Sequence, residues 1–217
     1  MEILKLFSEG GPVMWPLLVC SILTLALSFE RIRFWLKINK RQRRVVSDVL
    51  NLYRLDNLVA AIDKLRQNID LPIARIFLAA LELERSTPEK FRLALEGETQ
   101  AELPILKRFQ RIFETIVGLA PLLGLLGTIT GLIRSFAGLN IGDVGGTKTT
   151  SVTGGISEAL IATACGMVVA IIALLFTNLF EELYTSQLGL IQEFATQLEL
   201  LYLDRYEKGH KTYASNK

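Results

Sequence analysis

One acid stands inside a long apolar run. Glu158 follows Gly154, Gly155, Ile156 and Ser157 and leads into Ala159-Leu160-Ile161-Ala162-Thr163. A carboxylate can take up and release a proton. Within a bilayer it costs several kcal/mol unless it faces protein or water, so Glu158 is expected to point into a helix bundle or a pore. Lys148 and Glu181 bracket the run, leaving room for a tilted helix of more than ~40 Å at 1.5 Å per residue, with Glu158 inward of the water edge. The blander reading is a carboxylate bonded at a Gly-rich helix start, where the helix dipole favours it. Thr128, Thr130 and Thr163 add hydroxyls in mid-run. Each either bonds the carbonyl one turn back or, together with Glu158, forms a polar track for an ion.

Other chemistries lack their parts. His210 is the single histidine and lies in the polar tail, so neither a Ser-His-Asp or Cys-His arrangement nor a His-based metal site can be assembled within one chain. No catalytic residue, no metal and no cofactor is expected, and no nucleic acid among the partners. Gly145-Gly146-Thr147-Lys148-Thr149 has the composition of a phosphate loop, but no Gly stands directly before Lys148 and no buried strand precedes it. Cys20 and Cys165 both fall in apolar runs and read as small packed side chains rather than a disulfide framework.

The elements that must position these residues are membrane helices. Half of the 217 residues are hydrophobic, and they cluster in long runs rather than spreading over a soluble core. Ile112 to Phe180 reads as a hairpin of two spans, each with the ~20 apolar residues that a ~30 Å hydrocarbon core requires. Val13 to Phe29 is a further uncharged run, with Pro16 in its first turn and Trp15 and Trp35 as interface anchors. The basic cluster Arg31, Arg33, Lys37, Lys40, Arg41, Arg43 and Arg44 follows it, and Lys107, Arg108 and Arg111 precede the second span. By the positive-inside rule both clusters are cytoplasmic. Three spans result, with the N-terminus out and the C-terminus in. The first twelve residues carry acids beside Lys5 and no small-x-small site, so a cleaved signal peptide is not expected.

The predicted order is an amphipathic outer segment (1–12), a first span (13–36), a cytoplasmic helical region (37–111), a second span (112–135), an outer loop (136–150), a third span (151–180) and a cytoplasmic extension and tail (181–217). Within the cytoplasmic region, Val45 to Tyr53 and Ile73 to Leu83 each carry helical periodicity. Ser86-Thr87-Pro88-Glu89 is a helix start, and the apolar recurrence beyond it predicts one long helix running into the second span, weakened at Gly97 and Pro104. The third span likewise continues as a helix to about Asp204. Its stripe of Leu183, Tyr184, Leu188, Ile191, Phe194, Leu198 and Leu201 packs either on the chain's own cytoplasmic helices or, since a single chain offers few partners for so long a stripe, between subunits in a ring.

Small residues stud both arms of the hairpin. Gly124, Gly127 and Gly131 in the second span and Ala159, Ala162, Gly166, Ala170 and Ala173 in the third let helices approach closely, where van der Waals packing replaces the missing hydrophobic force. Pro121 frees a backbone carbonyl that a neighbouring helix, a hydroxyl or water must satisfy.

The runs Gly11-Pro12-Val13-Met14-Trp15-Pro16-Leu17-Leu18, Glu30-Arg31, Ala120-Pro121-Leu122-Leu123-Gly124-Leu125-Leu126-Gly127-Thr128 and Gly155-Ile156-Ser157-Glu158-Ala159-Leu160-Ile161-Ala162-Thr163-Ala164 resemble the ExbB/TolQ/MotA proton-channel family, most closely its ExbB branch. The resemblance covers nearly the whole chain. It implies an all-α inner-membrane motor subunit that forms a homo-oligomeric ring, commonly a pentamer, around a smaller single-span partner of the ExbD/TolR type. It further implies that Thr128, Glu158 and Thr163 line the ion pathway. Proton flow would then be converted into work on outer-membrane transport, with a TonB-like protein as a possible further partner. A TolQ-like duty in outer-membrane integrity, or a structural scaffold that conducts nothing, are the competing readings. The additional span of MotA-type stators has no counterpart here.

Overall fold

A computed structural model describes residue 7 and residues 10–83, 86–137 and 147–215. Most of the outer segment 1–12 and residues 138–146 of the outer loop, with Gly145 and Gly146, lie outside the described residues. Six α-helices make up the described chain: α1 Met14–Arg54, α2 Leu58–Arg66, α3 Pro72–Leu81, α4 Pro88–Leu106, α5 Gln110–Ala137 and α6 Thr147–Ser215. They contribute to two compact units. One holds residues up to Arg31 and Phe109–Glu181; the other holds Ile32–Arg108 and Glu182 onward.

Two stretches, Pro88–Ala137 and Thr153–Lys208, contain windows long and apolar enough to cross a membrane. They carry the two arms of the predicted hairpin. Large apolar side chains on them stand exposed, among them Leu122, Ile133, Leu160, Ile171 and Leu175. That pattern suits a surface solvated by lipid rather than water.

In the first unit the beginning of α1 packs with α5 and the first half of α6. Val13, Met14, Leu17, Cys20, Ile116, Ala120, Ala170 and Ala173 form its buried cluster, and the rings of Phe113 and Phe180 lie 5.5 Å apart. Both cysteines are free thiols. Two buried hydroxyls are satisfied within their own helices: Thr24 donates to the Cys20 carbonyl and Thr177 to that of Ala173, each at 2.8 Å. Pro121 lies inside α5, which continues through it.

The second unit is held by apolar burial and by ion pairs. Val46, Val49, Ala61, Leu65, Ile73, Ile76, Phe77 and Phe91 are all fully buried. Local chemistry sets the helix starts. Asn57 caps α2 by accepting from the Ala60 N–H at 3.1 Å, while Pro72 and Pro88 occupy first-turn positions where a missing donor costs nothing. Thr87 caps α4. The guanidinium of Arg75 on α3 grips both oxygens of Glu102 on α4, whose side chain is almost wholly buried. This bidentate arrangement is the geometry in which a buried carboxylate can be kept charged.

Between α2 and α3, Asp70 meets Lys37 Nζ at 3.0 Å and Arg41 at 2.9 Å. Burial opposes ionisation of Asp70, but the Lys37 hydrogen bond and the two positive charges outweigh it and hold the carboxyl below the usual range. A depressed folded-state value means stability that is present above the ordinary carboxylate value of ~3.9 and is lost as pH falls through the lowered one. Asp70→Asn is therefore expected to cost under about 1 kcal/mol at neutral pH, since the pair is partly exposed. Urea unfolding followed by helical circular dichroism should show that difference closing as the pH is taken well below ~3.9.

Three expectations need correction. The long helix predicted to run from Pro88 into the second span, weakened at Gly97 and Pro104, is interrupted at 107–109, where Phe109 takes φ +68°. A left-handed residue ends α4 just past Pro104, and α5 begins afresh at Gln110. Leu83, assigned to the helix over Ile73 to Leu83, lies beyond the end of α3 and is exposed. The chain's own second unit supplies part of the cover of the α6 stripe, whose five residues besides Ile191 and Leu198 are half-buried. Ile191 and Leu198 are fully buried in the chain's own second unit, Gln187 donates to Gln42 at 2.8 Å, and Tyr202 stacks on Phe91 with centroids 4.0 Å apart. Helix α6 also runs past both expected ends, Gly155 and Asp204.

Candidate ion-pathway site

The hairpin arms meet along their small residues. A Cβ on Gly124 would come within 3.0 Å of the Thr163 Cα, one on Gly127 would strike the Ala162 Cβ at 2.5 Å, and one on Gly131 would press on Gly155 and Ala159. From the other side, a Cβ on Gly166 would lie 2.6 Å from the Ala120 carbonyl oxygen. The pairing runs antiparallel, with residues near 120 facing those near 166 and residues near 131 facing those near 157. Backbone contact of this closeness is what glycine permits and any side chain forbids.

That register decides where the candidate pathway residues fall. Thr163 faces Gly124 and donates to its carbonyl at 3.0 Å. Thr128, on the next turn of α5, donates to the Leu125 carbonyl at 2.6 Å, and Thr130 shares its proton between the carbonyls of Leu126 and Gly127 at 3.0 and 3.1 Å. Thr128 and Thr163 are both half-buried. Each hydroxyl thus spends its proton on a carbonyl and keeps oxygen lone pairs as acceptors.

Glu158 lies nearer the loop end of the hairpin. Its Oε1 accepts from Arg134 Nη1 at 2.9 Å across the two arms. The Arg134 side chain is over half exposed while that of Glu158 is mostly covered. Part of the cover comes from the turn before α1: Gly11 takes φ +71°, and a Cβ there would overlap the Glu158 carboxylate. The acid is therefore enclosed by α5, α6 and the backbone ahead of α1. No hydrogen bond gathers Thr128, Glu158 and Thr163 into one cluster among the described residues. Thr163 lies at the level of Gly124, Thr128 one turn nearer the loop, and the Glu158–Arg134 pair nearer the loop again.

Arg134 is the residue that reading the sequence missed. A signal was available: an intramembrane acid calls for a named partner, and matching Gly131 to Ala159 across the hairpin brings Arg134 within reach of Glu158.

Apolar helices of membrane-spanning length, close-packed through glycine and carrying an acid–arginine pair and hydroxyls where they meet, define an α-helical membrane protein with polar groups built between its helices. The sequence model of the MotA/TolQ/ExbB proton channel family matches residues 68–193, more than half of the chain, and the chain belongs to that family. It is 54% identical over 209 residues to the "Putative biopolymer transport protein ExbB-like 3" of Synechocystis sp., covering 96% of this chain and 99% of that relative. A second Synechocystis sp. protein, "Putative biopolymer transport protein ExbB-like 1", is 43% identical over 97% of this chain and 83% of its own length. The "Biopolymer transport protein ExbB" of Salmonella typhimurium is 28% identical, covering 87% of this chain and 80% of that protein. The family is one of proton channels and not a class of enzymes.

Proposed function

We propose that the chain is the ring-forming subunit of a proton-driven motor in a bacterial inner membrane. It crosses the membrane three times, through the start of α1, through α5 and through the first half of α6, with its N-terminus periplasmic and its C-terminus cytoplasmic. A single-span partner of the ExbD/TolR type occupies the ring, commonly of five copies, and a TonB-like protein is a possible further partner carrying the work to outer-membrane transport. Membership of the proton channel family supports the class of activity, and the names of the relatives support the biopolymer-transport branch.

The observation that carries the reading is the Glu158–Arg134 pair between the two arms of the hairpin. A charged side chain on a membrane helix is costly unless it faces protein or water, and the half-exposed Arg134 at the loop end of the hairpin fits an arginine turned to water or to another chain. A ring with a hydrated interior supplies both. The scaffold reading has an observation of its own, since the hydroxyls of Thr128 and Thr163 are spent on carbonyls.

The native mass of the complex, extracted gently in detergent with whatever co-purifies, tests the assembly. About five copies holding a small single-span protein is the expected result. A stable monomer or dimer would remove the central pore, and with it the conduction pathway.

A further inference from the structure

We infer that Arg134 is the counter-ion of Glu158: it pairs with the carboxylate and orients it at the loop end of the hairpin, and the pair must open before Glu158 can exchange a proton. The second half of this inference rests on the proposal that Glu158 lies on the ion path; the first half does not.

The geometry is specific. The two residues stand on different helices, 24 positions apart, and meet at 2.9 Å. Glu158 is backed on its third side by the Gly11 backbone, where no side chain could fit. Gly10 to Met14 bring no charge to the acid, and among the described residues Arg134 is the one charged group bonded to it. The covered carboxylate thus has its compensating charge on the open side, at the end of a long, mostly exposed side chain. Such an arginine can swing away without unpacking the helices, whose contact is made below it by Gly131, Gly127 and Gly124. Arg134 is a positioning residue in this scheme, and Glu158 is the group that carries the proton.

A hydrophobic carbodiimide, which adds to protonated carboxyl groups, reads the first half directly. In the intact complex, modification of Glu158 located by mass spectrometry should be slow in the wild type and clearly faster in Arg134→Gln, because the guanidinium that occupies the open side of the carboxylate is then gone. Arg134→Lys, which keeps the charge, should restore slow labelling. Proton flux into liposomes reads the second half: Arg134→Gln should alter its pH profile, and Arg134→Lys should bring it back towards the wild type. Equal labelling in Arg134→Gln and the wild type would overturn the counter-ion role. Should Arg134→Gln not assemble, the lysine variant decides, since labelling as fast as that of an exposed carboxylate would contradict the inference. Glu158→Gln separates the two levels. If it conducts like the wild type, the ion-path reading fails while the labelling result stands. If it loses flux but Arg134→Gln keeps the wild-type pH profile, the gating half fails alone.

Discussion

Valine in place of Gly166 is expected to separate the two arms of the hairpin and with them the assembled protein. The Cβ alone would stand 2.6 Å from the Ala120 carbonyl oxygen, 3.1 Å from the Gly124 Cα and 3.2 Å from its amide nitrogen. These are backbone atoms of a neighbouring helix, so no side chain can rotate to make room. Overpacking of a tight contact costs typically about 1–3 kcal/mol, and a clash against backbone belongs at the upper end or beyond. In a membrane helix pair there is no hydrophobic force to hold the arms together once close packing is lost. Gly118, on the same helix α5, is the internal control. A Cβ there meets nothing within 4 Å, and alanine in a helix is favoured over glycine by about 0.5–1 kcal/mol. The amount of complex that survives a heating step in mild detergent should fall sharply for Gly166→Val and stay level or rise for Gly118→Ala. Equal survival of the two variants would show that the arms are not packed as described.

The contrast between these glycines shows what kind of information the sequence holds. Small residues at close spacing announce that a helix face is narrow, and Gly124, Gly127, Gly131 and Gly166 were legible on that ground. Which small residue meets which is a matter of register across the loop, and no local signal states it. For the same reason Glu158 is conspicuous as an acid in an apolar run, whereas nothing beside Arg134, at the end of the predicted second span, marks its partner. Helix starts were readable because capping is local: Thr87, Pro88 and Glu89 lie within one turn of the group they satisfy. The break at 107–109 was not, because Phe109 is an ordinary aromatic residue with nothing in its identity to mark φ +68°. The α6 stripe illustrates a further limit. Periodicity shows that Ile191 and Leu198 are covered, but not by what, and the chain's own second unit covers them.

The second large effect concerns the acid itself. Glutamine at 158 keeps the size of the side chain and a hydrogen-bonding oxygen for Arg134, so the packing of Gly11, α5 and α6 around it has no steric reason to change. It removes the negative charge and the capacity to bind and release a proton. In a scaffold, where Glu158 and the threonines serve to hold helices together, the loss of the ion pair should weaken assembly and there is no flux to lose. In a channel that passes protons through this carboxylate, assembly should persist while conduction falls by about a hundredfold, the scale on which a positioned proton-transfer group contributes. The two readings thus predict opposite results from one variant.

Proton flux into liposomes holding the purified complex, wild type beside Glu158→Gln and at matched native mass, is the measurement that meets the central claim most directly. The account predicts unchanged native mass with flux reduced by about a hundredfold. Wild-type flux through Glu158→Gln, or a variant that falls apart where the wild type itself passes no protons, would contradict it.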